Sequence, residues 1–234
     1  MTAGELIYEG KAKKVFHSDV PHVVIVEFKD DATAFNGEKK GQITNKGAVN
    51  AVMSAKIFQV LESEGIATHF REQLDTRRLS VDWLEMIPLE VVVRNRVAGS
   101  LEKRIGLKEG SVLEQAVTEL YLKNDSLGDP LLNDDHIRVL RVVDSALLEQ
   151  MRKQSSRINA ILQHFFEQRN LILVDFKLEF GLRQGQLVLG DEISPDTSRL
   201  WDRTTLKKMD KDRFRRDLGS VEEAYNEVLE RVLS

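Results

Sequence analysis

The order of elements along this 234-residue chain predicts an α+β fold of two lobes with a cleft between them. Three observations carry that expectation. Short strand-like segments come first, longer helical periods gather in the second half, and Pro88 marks the change. A proline disfavours helix at the residue before it, so Met86-Ile87-Pro88 reads as a crossing point between lobes 1–86 and 87–234. The N-terminal lobe is expected to be an antiparallel sheet, and the C-terminal lobe larger and mixed.

Residues 6–9, 14–17 and 23–28 read as strands, with Gly10-Lys11-Ala12-Lys13 as the first turn. A polar, glycine-bearing stretch runs from Gly37 to Gly47. Val49, Val52, Met53, Ile57, Val60 and Leu61 then recur at helical spacing, and Gly65 supplies a stop. Strands at 67–71 and 79–83 complete the first lobe, and a strong strand at 89–96 opens the second. Ser100 and Gly106 bracket a short helix over 101–105. Residues 123–135 are polar, contain Gly128, Asp129 and Pro130, and read as a long loop of the kind that often carries function. Leu147, Leu148, Met151, Ile158, Ile161, Leu162 and Phe165 mark a long helix. In the closing helix, Ser220 with Glu223 reads as a capping box ahead of an apolar stripe from Val221 to Leu233.

Hydrophobic residues make up 41% of the chain and charged ones 31%, enough for a sizeable core. A net charge of −4 argues against a nucleic-acid binder driven by bulk electrostatics. There is no cysteine, which excludes disulfides and thiolate chemistry and fits the cytoplasm. The opening residues lack a secretory leader's pattern, and no apolar run approaches the ~20 residues of a membrane span. The five histidines show no metal-ligand spacing, so a zinc site is not expected.

The most informative stretch is Leu171-Ile172-Leu173-Val174-Asp175-Phe176-Lys177-Leu178-Glu179-Phe180-Gly181. Its period of two puts Asp175, Lys177 and Glu179 on one strand face and Phe176, Leu178 and Phe180 on the other. The next strand, 187–193, also ends in acids, Asp191 and Glu192. Two strands that bring carboxylates and a lysine together suit a metal-bound phosphate, and Glu179 with Asp191 suit Mg²⁺. Register decides whether those two acids meet. A three-residue loop Gln184-Gly185-Gln186 sets Glu179 opposite Asp191, whereas a two-residue loop Gln184-Gly185 sets Leu178 there. A shared ion therefore predicts the three-residue loop.

Two further segments suit anions. Gly10 allows close backbone approach, and Lys11 and Lys13 beside it suit phosphates, although the spacing is not that of a P-loop. Arg94 and Arg96 share a strand face that turns through Ala98-Gly99-Ser100 into a helix start, a phosphate-binding arrangement. Arg199, in the loop leaving the charged hairpin, is in reach of a second anion.

Ile87-Pro88-Leu89-Glu90-Val91-Val92-Val93-Arg94 with Ala98-Gly99-Ser100, the stretch from Leu173 to Gly181, Tyr8 to Lys13, Asp129-Pro130, and Gly190 to Asp202 stand in an order that resembles the SAICAR synthetase family. The resemblance runs nearly end to end. It implies a two-lobed fold related to ATP-grasp and kinase nucleotide sites. The implied reaction joins L-aspartate to the carboxylate of 4-carboxy-5-aminoimidazole ribonucleotide, with ATP as co-substrate and Mg²⁺ as cofactor, in a homodimer or other homo-oligomer. It implies ATP at Gly10, Lys11, Ala12, Lys13, Met86, Lys123, Glu179 and Asp191, and Mg²⁺ on Glu179 and Asp191. Arg94, Ser100 and Arg199 would hold the ribonucleotide phosphate. Lys177 would neutralise the transferring phosphoryl group, Asp129 would contact the aminoimidazole, and Asp175 and Asp196 are candidates for the base. Asn36 takes no role. The alternative is another ATP-dependent amide ligase or a small-molecule kinase with the same cleft.

Overall fold

A computed structural model describes residues 1–34 and 39–234; Asn36 and Gly37 lie outside the described residues. The first sheet has the order β1-β2-β3-β7-β6, from β1 (Ala3–Glu9), β2 (Lys13–Ser18), β3 (Val23–Phe28), β7 (Arg78–Asp82) and β6 (Phe70–Gln73). The central place falls to β3, whose five apolar residues in six leave no face for water. The turn between β1 and β2 closes where the Gly10 amide donates to the Lys13 carbonyl at 2.8 Å. A small hairpin pairs β4 (Asp31–Ala34) with β5 (Lys39–Gln42).

Helix α1 (Lys46–Ser63) packs close to β3 because Gly47 has no side chain: a Cβ there would sit 2.4 Å from the Phe28 carbonyl oxygen. The amides of Glu64 and Gly65 return to Leu61 and Glu62, and Gly65 ends the helix at φ 75, as expected. The chain leaves the first sheet after Asp82 and enters β8 (Glu85–Arg96) through Trp83 and Leu84. Met86-Ile87-Pro88 is thus strand rather than crossing point; Pro88 opens no new element.

The second sheet runs β10-β9-β8-β11-β12, from β10 (Leu131–Leu132), β9 (Val112–Leu122), β8, β11 (Leu171–Arg183) and β12 (Gln186–Gly190). β13 (Ser198–Asp202) pairs with the first half of β11 and β12 with its second half, while β8 lies along its other edge. Arg199 therefore sits in a strand, not a loop. The 123–135 region is not one long loop either: it holds a 3-10 turn (Asp125–Leu127), β10 and the start of α3 (Asp134–Leu140). α2 (Ser100–Ile105) begins at Ser100 itself, with Gly99 as N-cap, so the Ser100 hydroxyl is free for other work. α4 (Ser145–Glu167) covers the sheet with Leu148, Met151, Ile158, Leu162, Phe165 and Phe166, which join Phe176, Leu178 and Phe180 of β11 in one core. Each such side chain contributes about 1.5–3 kcal/mol on burial. That core also contains Val24 and Phe28 of β3, so both sheets share it.

After a short α5 (Asp212–Arg215), α6 (Val221–Leu233) buries Ala224, Tyr225, Val228 and Val232 and packs against α1. Ser220 lies at φ 46 with no side-chain cap, so the expected capping box does not form. Among the described residues, no helix is long and apolar enough to cross a membrane.

Candidate active site

A cleft of about 920 Å³ lies between the two sheets. Val15, Val24, Val26, Val81 and Leu84 give it an apolar wall, and Gly10, Lys11, Ala12, Lys13, Met86, Lys123, Asp129, Glu179 and Asp191 all line it. Every residue that the resemblance places at the nucleotide is therefore in this one cavity. Lys11 stands at its mouth, paired with Asp125 at 3.1 Å, both largely exposed. Lys13 is further in, over the Phe28 ring at 5.2 Å and paired with Asp191 and, at 2.9 Å, with Glu192. Burial opposes the Lys13 charge, but Asp191 and Glu192 outweigh burial and hold its proton above the ordinary lysine range.

The floor of the cleft is the polar face of β11. The Lys177 ammonium donates to Glu90 at 3.1 Å and to Glu179, and lies 3.4 Å from Asp191. Burial again works against its charge, and Glu179, Asp191 and Glu90 together raise it well above the usual value. Lys123 reaches Glu179 from beyond β9. Burial pushes Asp191 upward, but Lys13 and Lys177 win and hold it below the carboxylate range.

The register that brings these acids together is not the expected one. Arg183 pairs with Gln186 and Glu179 with Gly190, so the hairpin loop is the two-residue Gln184-Gly185. Strict alternation would then send Asp191 to the other face. It does not, because Asp191 lies one residue past the last pair and adopts φ 58, which breaks the period of two and turns its carboxylate toward Lys177. Glu179 and Asp191 converge by a backbone twist that strand periodicity cannot show. Among the described residues there is no group of three acids or histidines that would cage a metal ion. Two carboxylates fit an ion that completes its shell with water and phosphate oxygens, as Mg²⁺ does.

At the other end of the same strand face, Asp175 holds two arginines. It accepts from Arg94 Nη1 at 2.7 Å and from Arg199 Nη1 at 2.9 and 3.1 Å. The register explains this, since Asp175 pairs with Arg94 across to β8 and with Arg199 across to β13. Arg94 is 4% exposed and also donates to Glu119, Ala98, Ser100 and Tyr121. Arg199 donates from Nε to Asp212 at 2.8 Å. Burial disfavours both guanidinium charges, and the surrounding carboxylates restore them. Gly99, at φ 59 and ψ −128, lies flat against Arg199: a Cβ would stand 2.5 Å from Nη2. Asp210, wholly buried beside Asp212, is pushed up to about 7 by burial and by that neighbour.

Asp196 belongs to a third cluster. It accepts from Lys46 at 2.8 Å and Tyr225 at 2.7 Å, with Lys211 at 3.4 Å. Burial raises its proton affinity, yet Lys211 and Lys46 hold it below the carboxylate range. Glu192 and Ser194 link this cluster to Lys13. Asp129 accepts the Asn124 amide at 2.7 Å on the cleft wall.

Sequence reading missed Glu90, Glu119, His69 and Lys46. Glu90 was within reach of the alternation in β8, four residues before Arg94. Lys46 precedes the apolar period of α1 and looks solvated, yet it is 0% exposed. His69 lines the cleft, and burial, then Lys13, lower it to about 4.

A two-sheet α+β fold with lysines and paired acids in a deep cleft, joined along one strand to an arginine cluster, has the two anion sites that an ATP-dependent ligase of a phosphorylated substrate needs. The family described as SAICAR synthetase matches residues 6–232, and the chain belongs to that family. It is 56% identical over 232 residues to the phosphoribosylaminoimidazole-succinocarboxamide synthase of Desulfitobacterium hafniense (strain DSM 10664 / DCB-2), covering 99% of this chain and 98% of that one. It is 52% identical to that of Wolinella succinogenes, covering 100% of both. Among solved structures it resembles the Ehrlichia chaffeensis enzyme (TM-score 0.95, 44% identity, 97% and 98% covered). A SAICAR synthetase in complex with ADP is also similar (TM-score 0.94, 49% identity, 97% of each chain).

Proposed function

We propose that the chain joins L-aspartate to the carboxylate of 4-carboxy-5-aminoimidazole ribonucleotide at the expense of ATP, releasing ADP and phosphate. The observation that carries this reading is the continuous polar face of β11. Asp175 and Glu179 are four residues apart, about 13 Å along a strand. That span separates the arginine cluster from the nucleotide cleft by room for a ribose and a five-membered base. A ribonucleotide held by its 5′-phosphate at one end therefore presents its carboxylate to ATP at the other.

A carboxylate is a poor electrophile, so the first step is its phosphorylation, which needs positioning and charge neutralisation above all. Lys11 and Lys13 hold the phosphates of ATP, with the 83–86 segment and Met86 along the adenine. Lys177 neutralises the transferring phosphoryl group, and Lys123 supports Glu179. Glu179 and Asp191 would hold Mg²⁺, which supplies further charge neutralisation at the phosphate oxygens. The aspartate amine then attacks the acyl phosphate, and phosphate leaves. Asp129 faces the aminoimidazole. Asp175 is taken up by hydrogen bonds from two arginines, and Lys211 and Lys46 hold Asp196 below the carboxylate range, so we assign both anchoring roles rather than that of base. The reading includes a cytoplasmic homodimer or other homo-oligomer and a division of labour between lobes 1–86 and 87–234.

The test is ADP release with ATP, Mg²⁺, L-aspartate and the carboxyaminoimidazole ribonucleotide, with mass analysis of the product. Release that needs both co-substrates, and a product heavier by aspartate less water, is expected. Turnover with other carboxylates but not this ribonucleotide would move the chain to another amide ligase.

A further inference from the structure

The start of β8 lines the nucleotide cleft through Glu85 and Met86, whereas its end, Asn95 and Arg96, lines a second cavity of about 560 Å³ beside α4. The two cavities share no lining residue. A space of that size suits a small organic molecule.

Arg96 is the odd charge of this cavity. Its neighbour Arg94 is enclosed by Glu119 and Asp175, but Arg96 is half-buried and, among the described residues, has no carboxylate within ion-pair distance. Its one side-chain hydrogen bond there runs from Nη1 to the Gly110 carbonyl at 3.3 Å. A guanidinium has five N–H donors, so four remain for solvent or a ligand. A partly desolvated cation with no partner in its own chain gains when an anion arrives.

Amides form another part of the lining. Asn95 and Asn159 exchange two hydrogen bonds of 2.9 Å, and Asn95 also donates to the Leu173 carbonyl at 3.2 Å and accepts from Gln163. Asn95 is thereby fully used, and it holds Gln163 in place. Gln163 is exposed and spends one N–H on Asn95, which leaves its carbonyl oxygen and its second N–H for a ligand. A donor and an acceptor side by side on a held amide match the edge of a nucleobase. Leu113 and Ile172 add apolar surface that suits the face of a ring. Two exposed carboxylates complete the set: Glu167 pairs with Arg203 at 2.8 Å, and Glu114 has no cation partner among the described residues. Carboxylates accept from sugar hydroxyls and repel a bare anion.

We propose that this cavity binds a nucleoside monophosphate, with its phosphate on Arg96, its ribose hydroxyls on Glu114 and its base on Gln163. A bare anion would engage Arg96 and still face both acids, and an apolar ligand would leave Arg96 unpaired. The site stands apart from the cleft and does not depend on the reaction proposed above.

The test is calorimetric titration of GMP into the protein saturated with Mg²⁺, ADP and the ribonucleotide, so that the cleft and the arginine cluster are already filled. One further equivalent is expected to bind. Arg96→Met weakens it about 10- to 100-fold, the worth of one charge-assisted hydrogen bond, and Arg96→Lys recovers part of the loss. Gln163→Ala, a change at an exposed position, weakens it about 5-fold and carries the test should Arg96→Met not fold. Guanosine and inorganic phosphate each bind at least about 10-fold more weakly than GMP. No further equivalent, an equivalent that neither variant weakens, or inorganic phosphate binding as tightly as GMP overturns the inference. If the ribonucleotide itself does not bind, the reaction proposed above falls, and the GMP site is judged by its dependence on Arg96 alone.

Discussion

Replacing Gly99 by alanine tests how the arginine cluster is held. Gly99 adopts φ 59 and ψ −128, a conformation close to glycine-only. An alanine there carries about 1–3 kcal/mol of backbone strain. Its Cβ would also stand 2.5 Å from Arg199 Nη2 and 2.8 Å from Cζ, so the guanidinium must move. It cannot move freely, because Nε is fixed to Asp212 at 2.8 Å and Nη1 to Asp175 at 2.9 Å. Losing one such charged hydrogen bond costs about 1.5–3 kcal/mol. The two terms together predict a loss of about 2.5–6 kcal/mol in urea unfolding. Arg199 leaves the ligand as it retreats, so KM for the ribonucleotide rises about 10- to 100-fold while KM for ATP does not change. A double-mutant cycle isolates the collision: in an Arg199→Ala background, Gly99→Ala keeps only the strain term. Equal costs in both backgrounds, or an unchanged ribonucleotide KM, would refute the reasoning.

Lys46→Met removes a wholly buried cation from Asp196 and is expected to destabilise by about 3 kcal/mol, at the low end for a broken buried pair because Lys211 and Tyr225 remain. A loss under about 1 kcal/mol in denaturant unfolding would show that Lys46 is dispensable there. His69 has a folded-state value of about 4 against an ordinary 6.5. The unfolded chain therefore binds the extra proton, and His69's contribution is present above pH 6.5 and lost as pH falls toward 4. His69→Gln should flatten thermal stability across that window; a mutant that loses stability over it as steeply as the parent would rule this out. Glu179→Gln and Asp191→Asn should each lower kcat about 100-fold or more, the several kcal/mol a bound ion supplies, with the fold retained. Parent-like Mg²⁺ dependence in both would remove them as metal ligands.

Strands with one strong apolar face were legible because burial enforces their period. β3 falls at the expected residues, and β11 shows the expected division between Asp175, Lys177, Glu179 and the phenylalanines. β9 went unread because its stretch Glu114-Gln115-Ala116-Val117-Thr118-Glu119 is half solvated, and only Glu119 and Leu120 are buried within the strand. β13 went unread because Ser198 and Arg199 look like a continuation of the Ser194-Pro195-Asp196 turn. Most residues that line the cleft were named in advance, but the partners they pair with were not. Ion pairs such as Arg94 with Glu119, or Lys46 with Asp196, join residues far apart in sequence, and no local pattern reports them. The hairpin is the sharpest case: a correct meeting of Glu179 and Asp191 was expected from the wrong loop length. The positive φ of Asp191 supplies what the register withholds.

The central claim is that the cleft transfers a phosphoryl group from ATP to the ribonucleotide's carboxylate. The most direct test starts from ribonucleotide labelled with ¹⁸O in both carboxylate oxygens and follows one turnover with ATP, Mg²⁺ and L-aspartate. The account predicts that one labelled oxygen leaves in the released phosphate and one stays in the amide. Unlabelled phosphate, with turnover intact, would contradict it.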